Sequence, residues 1–161
     1  MLLKPEPLLP ESFAPFGTLI ETEDAERCSL GDGHATLYHR LARIDPGEGA
    51  SAIVSIIRAR RWPNRMLERL ERHPKSTRTL IPMTTEDWVL VVAHGERPKA
   101  EDCRLFHAFG DQGVQYDPGI WHHPLLILTQ SQEFLLIERD GAPCEGLEEI
   151  TLDPPASLPW P

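Results

Sequence analysis

Gln115-Tyr116-Asp117-Pro118-Gly119-Ile120-Trp121-His122-His123-Pro124-Leu125 is the stretch on which the reading of this chain turns. An aromatic follows Gly113, Pro118-Gly119 tightens into a turn, and two imidazoles then stand between a tryptophan and a proline. The apolar run Leu125-Leu126-Ile127-Leu128 that comes next reads as a buried strand. A turn that hands histidines to the start of a buried strand sets titratable groups at the mouth of a sheet or barrel, where clefts form. A lone histidine there would be read as a satisfied core group. A packed pair favours chemistry.

Outward from this stretch the signals are those of short strands separated by turns. Residues 35–42 and 50–59 are apolar and rich in β-branched side chains, split by Asp45-Pro46-Gly47. Residues 79–83 and 88–93 flank a Thr-Thr-Glu-Asp turn, and 103–109, 113–116, 124–130 and 133–140 complete the series. Ahead of them, Glu11, Phe13 and Phe16 follow Pro10 in a short helix over 10–17 that Gly17 stops. A strand over 18–21 follows, and the acidic, glycine-containing segment 22–33 reads as a loop. Many short strands and little helix predict an all-β sandwich or barrel, in one domain over 1–161. One segment is open to two readings. In Asn64 to Arg72, Met66, Leu67 and Leu70 lie on one helical face; as a strand, Leu67, Arg69, Glu71 and His73 point one way and Met66, Glu68, Leu70 and Arg72 the other.

The bulk composition excludes several function classes. The chain has 161 residues, 40% of them hydrophobic, and a formal charge of -9. That balance repels nucleic acid and anionic membranes at long range, though a local basic pocket can still take a small anion. The run Arg58-Ala59-Arg60-Arg61 is too short to argue nucleic-acid binding in so acidic a chain; most of it reads as a solvated edge, with Arg58 the exception. Met1-Leu2-Leu3 is broken at once by Lys4, Pro5 and Glu6, so no signal peptide is expected, and no apolar run is long enough to span a bilayer. Cys28, Cys103 and Cys144 are odd in number and widely spaced, the usage of reduced thiols in a cytoplasmic protein. Of the 16 prolines, Pro5, Pro7, Pro10, Pro15, Pro154, Pro155, Pro159 and Pro161 cluster near the ends and suggest extended segments lying against the body.

A second polar constellation precedes the strand at 79–83: Glu71-Arg72-His73-Pro74, then Arg78. If this is strand, Glu71 and His73 share a face, and a carboxylate beside an imidazole can hold a divalent cation or act as acid and base. The bland reading is a solvated run of alternating charge. The spacing resembles that of a cupin metal site, His-x-His, four residues, Glu, six residues, Gly, then a later Gly-x-x-His. Here Glu71-x-His73, Arg78 and Thr85 occupy the first pattern and Gly119-x-x-His122 the second. The residue types agree only in part.

A closer resemblance joins these pieces. Glu71-Arg72-His73-Pro74, Thr79-Leu80-Ile81-Pro82-Met83, Val91-Val92-Ala93-x-Gly95, Gly113-Val114-x-Tyr116, Trp121-His122-His123-Pro124-Leu125 and Phe134-Leu135-x-Ile137-Glu138-Arg139 resemble, in order, the ureidoglycolate lyase family of allantoin catabolism. Upstream, Phe13-x-x-Phe16-Gly17-x-x-Ile20-Glu21-Thr22, Tyr38-His39-x-Leu41-Ala42 and Ser55-Ile56-x-Arg58-Ala59 extend it over almost the whole chain. The resemblance implies a mainly β, cupin-like (jelly-roll type) β-barrel with few short helices, strand near Glu71, a homodimer, and cleavage of ureidoglycolate to glyoxylate and urea.

Ureidoglycolate is a hemiaminal, so its collapse needs a base for the hydroxyl and an acid for the leaving urea, and no organic cofactor. Imidazoles suit both roles. The expected catalytic groups are His73, His122 and Glu71, with a divalent metal such as nickel, if one is bound, on those same three. Arg78 or Arg58 would neutralise the substrate carboxylate, and Tyr116, Trp121 and His39 would line the cavity. His122 and His123 point to opposite faces of an extended segment, so one alone is expected inside; cupin spacing selects His122. Two departures stand out, Arg78 where the family commonly has Gln and Thr85 where Gly is common. A guanidinium cannot ligate a metal, but it can clamp a carboxylate. The competing readings are a non-catalytic module that binds a small carboxylate and a lyase or hydrolase of a related ureido or hydroxy acid.

Overall fold

Trp88–Ala93 is buried along its whole length, as a strand must be when both of its faces are covered. Alternate side chains serve two different cores. Trp88, Leu90 and Val92 join Phe13, Phe106, Tyr116, Phe134 and Leu136 in one, while Val89, Val91 and Ala93 join Leu67, Leu70, Leu105 and Trp121 in the other. Which of the two faces a neighbouring residue shares decides whether it can belong to the site.

The computed structural model of the chain describes residues 1–142 and 144–160, so Pro161 among the terminal prolines lies outside the described residues. It is mainly β, a cupin-like fold of two large sheets. In the first, β1 (Pro5–Pro7), β9 (Arg104–Ala108), β8 (Trp88–Ala93), β11 (Trp121–His122), β6 (Met66–Arg72) and β14 (Glu148–Ser157) follow in that order, with β12 (Leu126–Ile127) also on β8. The second runs β2 (Gly17–Ile20), β10 (Gly113–Tyr116), β7 (Arg78–Pro82), β13 (Ser131–Arg139) and β5 (Ala52–Arg60). A separate hairpin pairs β3 (Glu26–Leu30) with β4 (Ala35–His39). Among the described residues, helix is confined to α1 (Pro10–Phe13) and two single 3-10 turns.

The first core fills the space between the sheets. Phe13 packs edge-on against Phe106 at 5.7 Å between centroids and Trp88 against Phe134 at 5.0 Å, so replacing any of these with alanine would cost about 3–5 kcal/mol. The second core covers the outer face of the first sheet and is closed by both chain ends. Leu3 and Leu158 are buried there, the Leu3 amide donates to Ser157 O at 3.0 Å, and β14 pairs with β6. The terminal segments rich in proline therefore do lie against the body.

Several local expectations change. Within segment 64–72, Met66–Arg72 is strand, although Leu67 and Leu70, three apart, are both fully buried. Leu70 pairs with Ile150 and Leu67 with Ala156, across a register shift in β14 between Thr151 and Ala156. That shift is why a strand carries a spacing that looks helical. The loop expected over 22–33 contains β3, because it has a partner in β4 that its acidic composition does not announce. The strand expected over 124–130 shrinks to Leu126–Ile127. Gly17 begins β2 rather than stopping a helix: its φ is 149°, and a Cβ there would meet Gln115 O at 1.9 Å.

Candidate active site

The Pro118-Gly119 turn is tied to the other polar constellation through the backbone. Gly119, with φ of 80°, donates its amide to His73 O at 2.9 Å. Three residues on, β11 pairs antiparallel with β6 so that His122 stands opposite Glu71. On its other side His122 is registered with Val92, which belongs to the core between the sheets. Glu71, His73 and His122 thus converge, one ligand atom from each lying within 4.8 Å of the others.

His122 is 3% exposed. Its Nδ1 donates to Ile120 O at 3.0 Å, which fixes that proton and turns Nε2 inward. Nε2 stands 3.5 Å from Glu71 Oε1, long for a hydrogen bond, and has no other partner among the described residues. His73 Nε2 is also buried without a partner. Buried polar atoms are rarely left so. Two such nitrogens beside a carboxylate are the donor set of a two-histidine, one-carboxylate metal centre, and the residues fit a divalent cation. Tyr116 stacks on His122 at 4.4 Å and 12°, and the His73 and His122 imidazoles stack at 5.7 Å between centroids and 22°.

The electrostatics follow from this crowding. Burial pushes the Glu71 carboxyl up, but His122, Arg78 and His73 together outweigh it and hold it below its usual value. Burial, then the charge of Arg78, lowers the His73 imidazole to about 4. Burial raises the Tyr116 phenol. His123, again chiefly through burial, is lowered to about 4.

Arg78 reaches the same space from the second sheet. Its neighbour in register is Tyr116, and Nη1 donates to Glu138 Oε2 at 2.5 Å. Glu138 lies one residue beyond the Ile137–Thr79 pair, which sets it beside Arg78. Ser55 Oγ donates to Glu138 Oε1 at 3.5 Å. Two cavities meet at Glu71 and Arg78. The first, about 340 Å³, is lined by His73, Ser55, Ser76, Thr77, Glu138 and Arg139 among others. The second, about 280 Å³, has His122, His123, Arg60, Trp62, Leu80 and Leu125 in its wall.

Other expected site residues lie elsewhere. Arg58 has the outward parity of β5, is 84% exposed and pairs with Glu133 at 2.5 Å. Trp121 is registered with Ala93 and so belongs to the outer core, where Arg72 stacks over its ring at 4.5 Å. His39 ends β4, opposite Glu26 in the hairpin, and lines neither cavity. The expectation that only one of His122 and His123 lies inside also fails. His123 follows the two-residue strand β11, where alternation no longer applies, and lines the second cavity against Trp62 at 4.8 Å. Arg60, Trp62, His123 and Glu138 are among the lining residues that sequence reasoning did not nominate. Glu138 had a signal in the Phe134-to-Arg139 motif and His123 in the Trp121-to-Leu125 motif, whereas Arg60 and Trp62 had none.

Comparison with known proteins identifies the family of the chain. The sequence model of the Ureidoglycolate lyase family matches residues 1–159. Ureidoglycolate lyase 1 of Rhizobium meliloti is 37% identical over 163 residues, covering 99% of this chain and 95% of that protein. The ureidoglycolate lyase of Azotobacter vinelandii is 42% identical (88% of this chain, 87% of that protein), and that of Brucella anthropi 40% identical (90% and 86%). The chain belongs to the ureidoglycolate lyase family.

Proposed function

We propose that this member of the family, acting as one domain, is itself a ureidoglycolate lyase, a carbon–nitrogen lyase that releases glyoxylate and urea from ureidoglycolate. The observation that carries the reading is the pair of buried, unpartnered Nε2 atoms of His73 and His122 around the Glu71 carboxylate. The reaction needs one group to take the hydroxyl proton of the hemiaminal and another to protonate the urea nitrogen as the C–N bond breaks. The electron pair of the O–H bond becomes the carbonyl of glyoxylate, and that of the C–N bond leaves with urea. His73 and His122 supply the two proton-transfer groups, and Glu71 orients His122. Arg78 neutralises the substrate carboxylate. If a divalent cation such as nickel is bound, Glu71, His73 and His122 are the residues that hold it, and it supplies Lewis-acid polarisation of a substrate oxygen.

The protein works as a homodimer on a small anion. Support for the dimer is the apolar outer side of β5, where Val54 is 66% and Ile56 58% exposed. No described helix is long and apolar enough to cross a membrane, and the free Cys28, Cys103 and Cys144 support a reducing, cytoplasmic setting.

The test is incubation of chelator-treated protein with racemic ureidoglycolate, with glyoxylate, urea and ammonia assayed separately. Glyoxylate with equimolar urea and no ammonia is the expected result. Ammonia in place of urea would make the enzyme a hydrolase. No glyoxylate with or without added divalent ions would leave the module that binds a small carboxylate, which Arg78 at a ligand position favours, or an enzyme of a related acid.

A further inference from the structure

The basic run at 58–61 enters the fold with its alternate members on different duties. Arg58 and Arg60 share the outward parity of β5 and both are exposed, but Arg60, at the end of the strand, also lines the second cavity with His122 and Arg78. The two cavities differ in charge. In the first, Lys75, Arg78 and Arg139 face Glu71, Glu138 and Glu145, so the ionised groups cancel, and Ser55, Ser76 and Thr77 add hydroxyls. In the second, Arg60 and Arg78 face Glu71 alone, between the apolar walls of Ile57, Ala59, Leu80 and Leu125. An anion gains most where cationic groups are in excess and apolar walls keep water away. A neutral, donor-rich fragment such as urea gains most among carboxylates and hydroxyls.

We propose that Arg60 and Arg78 form the carboxylate subsite of the second cavity, and that the ureido end of the substrate lies in the first cavity against Glu138 and Ser55. The scissile C–N bond then spans the waist at Glu71. His122, which lines the second cavity alone, faces the hydroxyl and carboxylate end, and His73, which lines the first alone, faces the leaving nitrogen. Arg60 is a specificity-determining residue in this arrangement, binding the charge that separates ureidoglycolate from neutral ureido compounds. The assignment of the two ends rests on the lyase reading; the carboxylate subsite does not.

The experiment compares Arg60→Gln with Arg58→Gln, whose side chain lies on the outer face. With ureidoglycolate as substrate, Arg60→Gln is expected to raise KM on the order of tenfold or more with kcat nearly unchanged, the loss of one charge-assisted contact. The inhibition constant of glyoxylate should rise in proportion, that of urea should not move, and Arg58→Gln should match wild type. Equal effects in both variants, or an unchanged KM in Arg60→Gln, overturn the subsite. Calorimetric titration of wild type and Arg60→Gln with glyoxylate separates this result from failure of the lyase reading. A wild type that binds glyoxylate but does not turn over ureidoglycolate, with binding weakened by Arg60→Gln, would keep the subsite and discard the reaction. Equal glyoxylate affinity in the two would discard the subsite whatever the activity.

Discussion

His122 and Glu71 face each other across the pairing of β11 with β6, with Nε2 3.5 Å from Oε1. The pairing makes the 50 residues of intervening chain irrelevant to the distance, and it sets a carboxylate beside the histidine's inner nitrogen. His73, one residue past the end of β6, completes the set. Removing either imidazole, by His122→Ala or His73→Ala, should lower kcat by roughly 10²–10⁴-fold while the β-rich circular dichroism spectrum stays that of wild type. Rates near wild type in both variants would remove the histidines from the mechanism.

The same three residues predict a thermal signature of metal binding. A divalent cation held by Glu71, His73 and His122 stabilises the folded state by mass action, about 2.7 kcal/mol at a hundred times its Kd, or on the order of 5–10 °C in Tm for a chain of this size. The shift should appear when nickel or another divalent ion is added to chelator-treated protein, and vanish in Glu71→Ala, His73→Ala and His122→Ala. A Tm indifferent to every divalent ion tested, together with full activity after chelation, would leave proton transfer by the histidines as the whole chemistry.

Arg78 is held by Glu138 at 2.5 Å, so its guanidinium is positioned before any substrate arrives. Arg78→Gln, which restores the residue common in the family, should weaken substrate binding by about tenfold or more. The single substitution also leaves the Glu138 carboxylate without its partner. Arg78→Gln combined with Glu138→Gln removes that unpaired charge. If the double variant recovers wild-type KM, Arg78 acts through Glu138 and not on the substrate.

Much of this arrangement could be read from residue spacing, and the failures have a common cause. Strand alternation put Glu71 and His73 on one face and, once the second strand end was recognised, set His122 with them. Alternation does not say which face is inside when both are covered. Trp121, on a strand buried between two cores, went to the outer one for that reason. Nor does it govern residues past a strand's end, which is how His123 entered the cavity, and it does not separate Arg58 from Arg60, which share one parity although Arg60 alone lines the cavity. The hairpin β3–β4 that carries His39 pairs only with itself in the described residues, and no composition signal distinguishes such a ribbon from a loop.

The cysteines give a check that does not involve the site. Cys28 and Cys144 are exposed and Cys103 is buried, where burial pushes its thiol up to about 12. The thiolate is the reactive form. At pH 7.5 a disulfide-exchange reagent should therefore titrate two thiols quickly and the third only in denaturant. Three fast thiols in the native protein would mean that the 3-10 turn at Ala100–Asp102, whose Lys99 carbonyl accepts from Cys103 Sγ, opens freely.

The outer edge of the second sheet bears on assembly. β5 runs nine residues, ends the strand order of its sheet and turns Val54 and Ile56 to solvent without a proline to interrupt it. Long apolar edges of this kind are covered in native proteins because they otherwise recruit other chains. A second copy covering this face would bury Val54 and Ile56 on both sides of a two-fold axis. Light scattering after gel filtration should then give a mass twice the 18.2 kDa of one chain. Val54→Asp with Ile56→Asp should halve it, since carboxylates there cost nothing in the monomer but must be desolvated in the dimer. A wild type that runs as a monomer at micromolar concentration, or a double variant that stays dimeric, would take the interface away from β5.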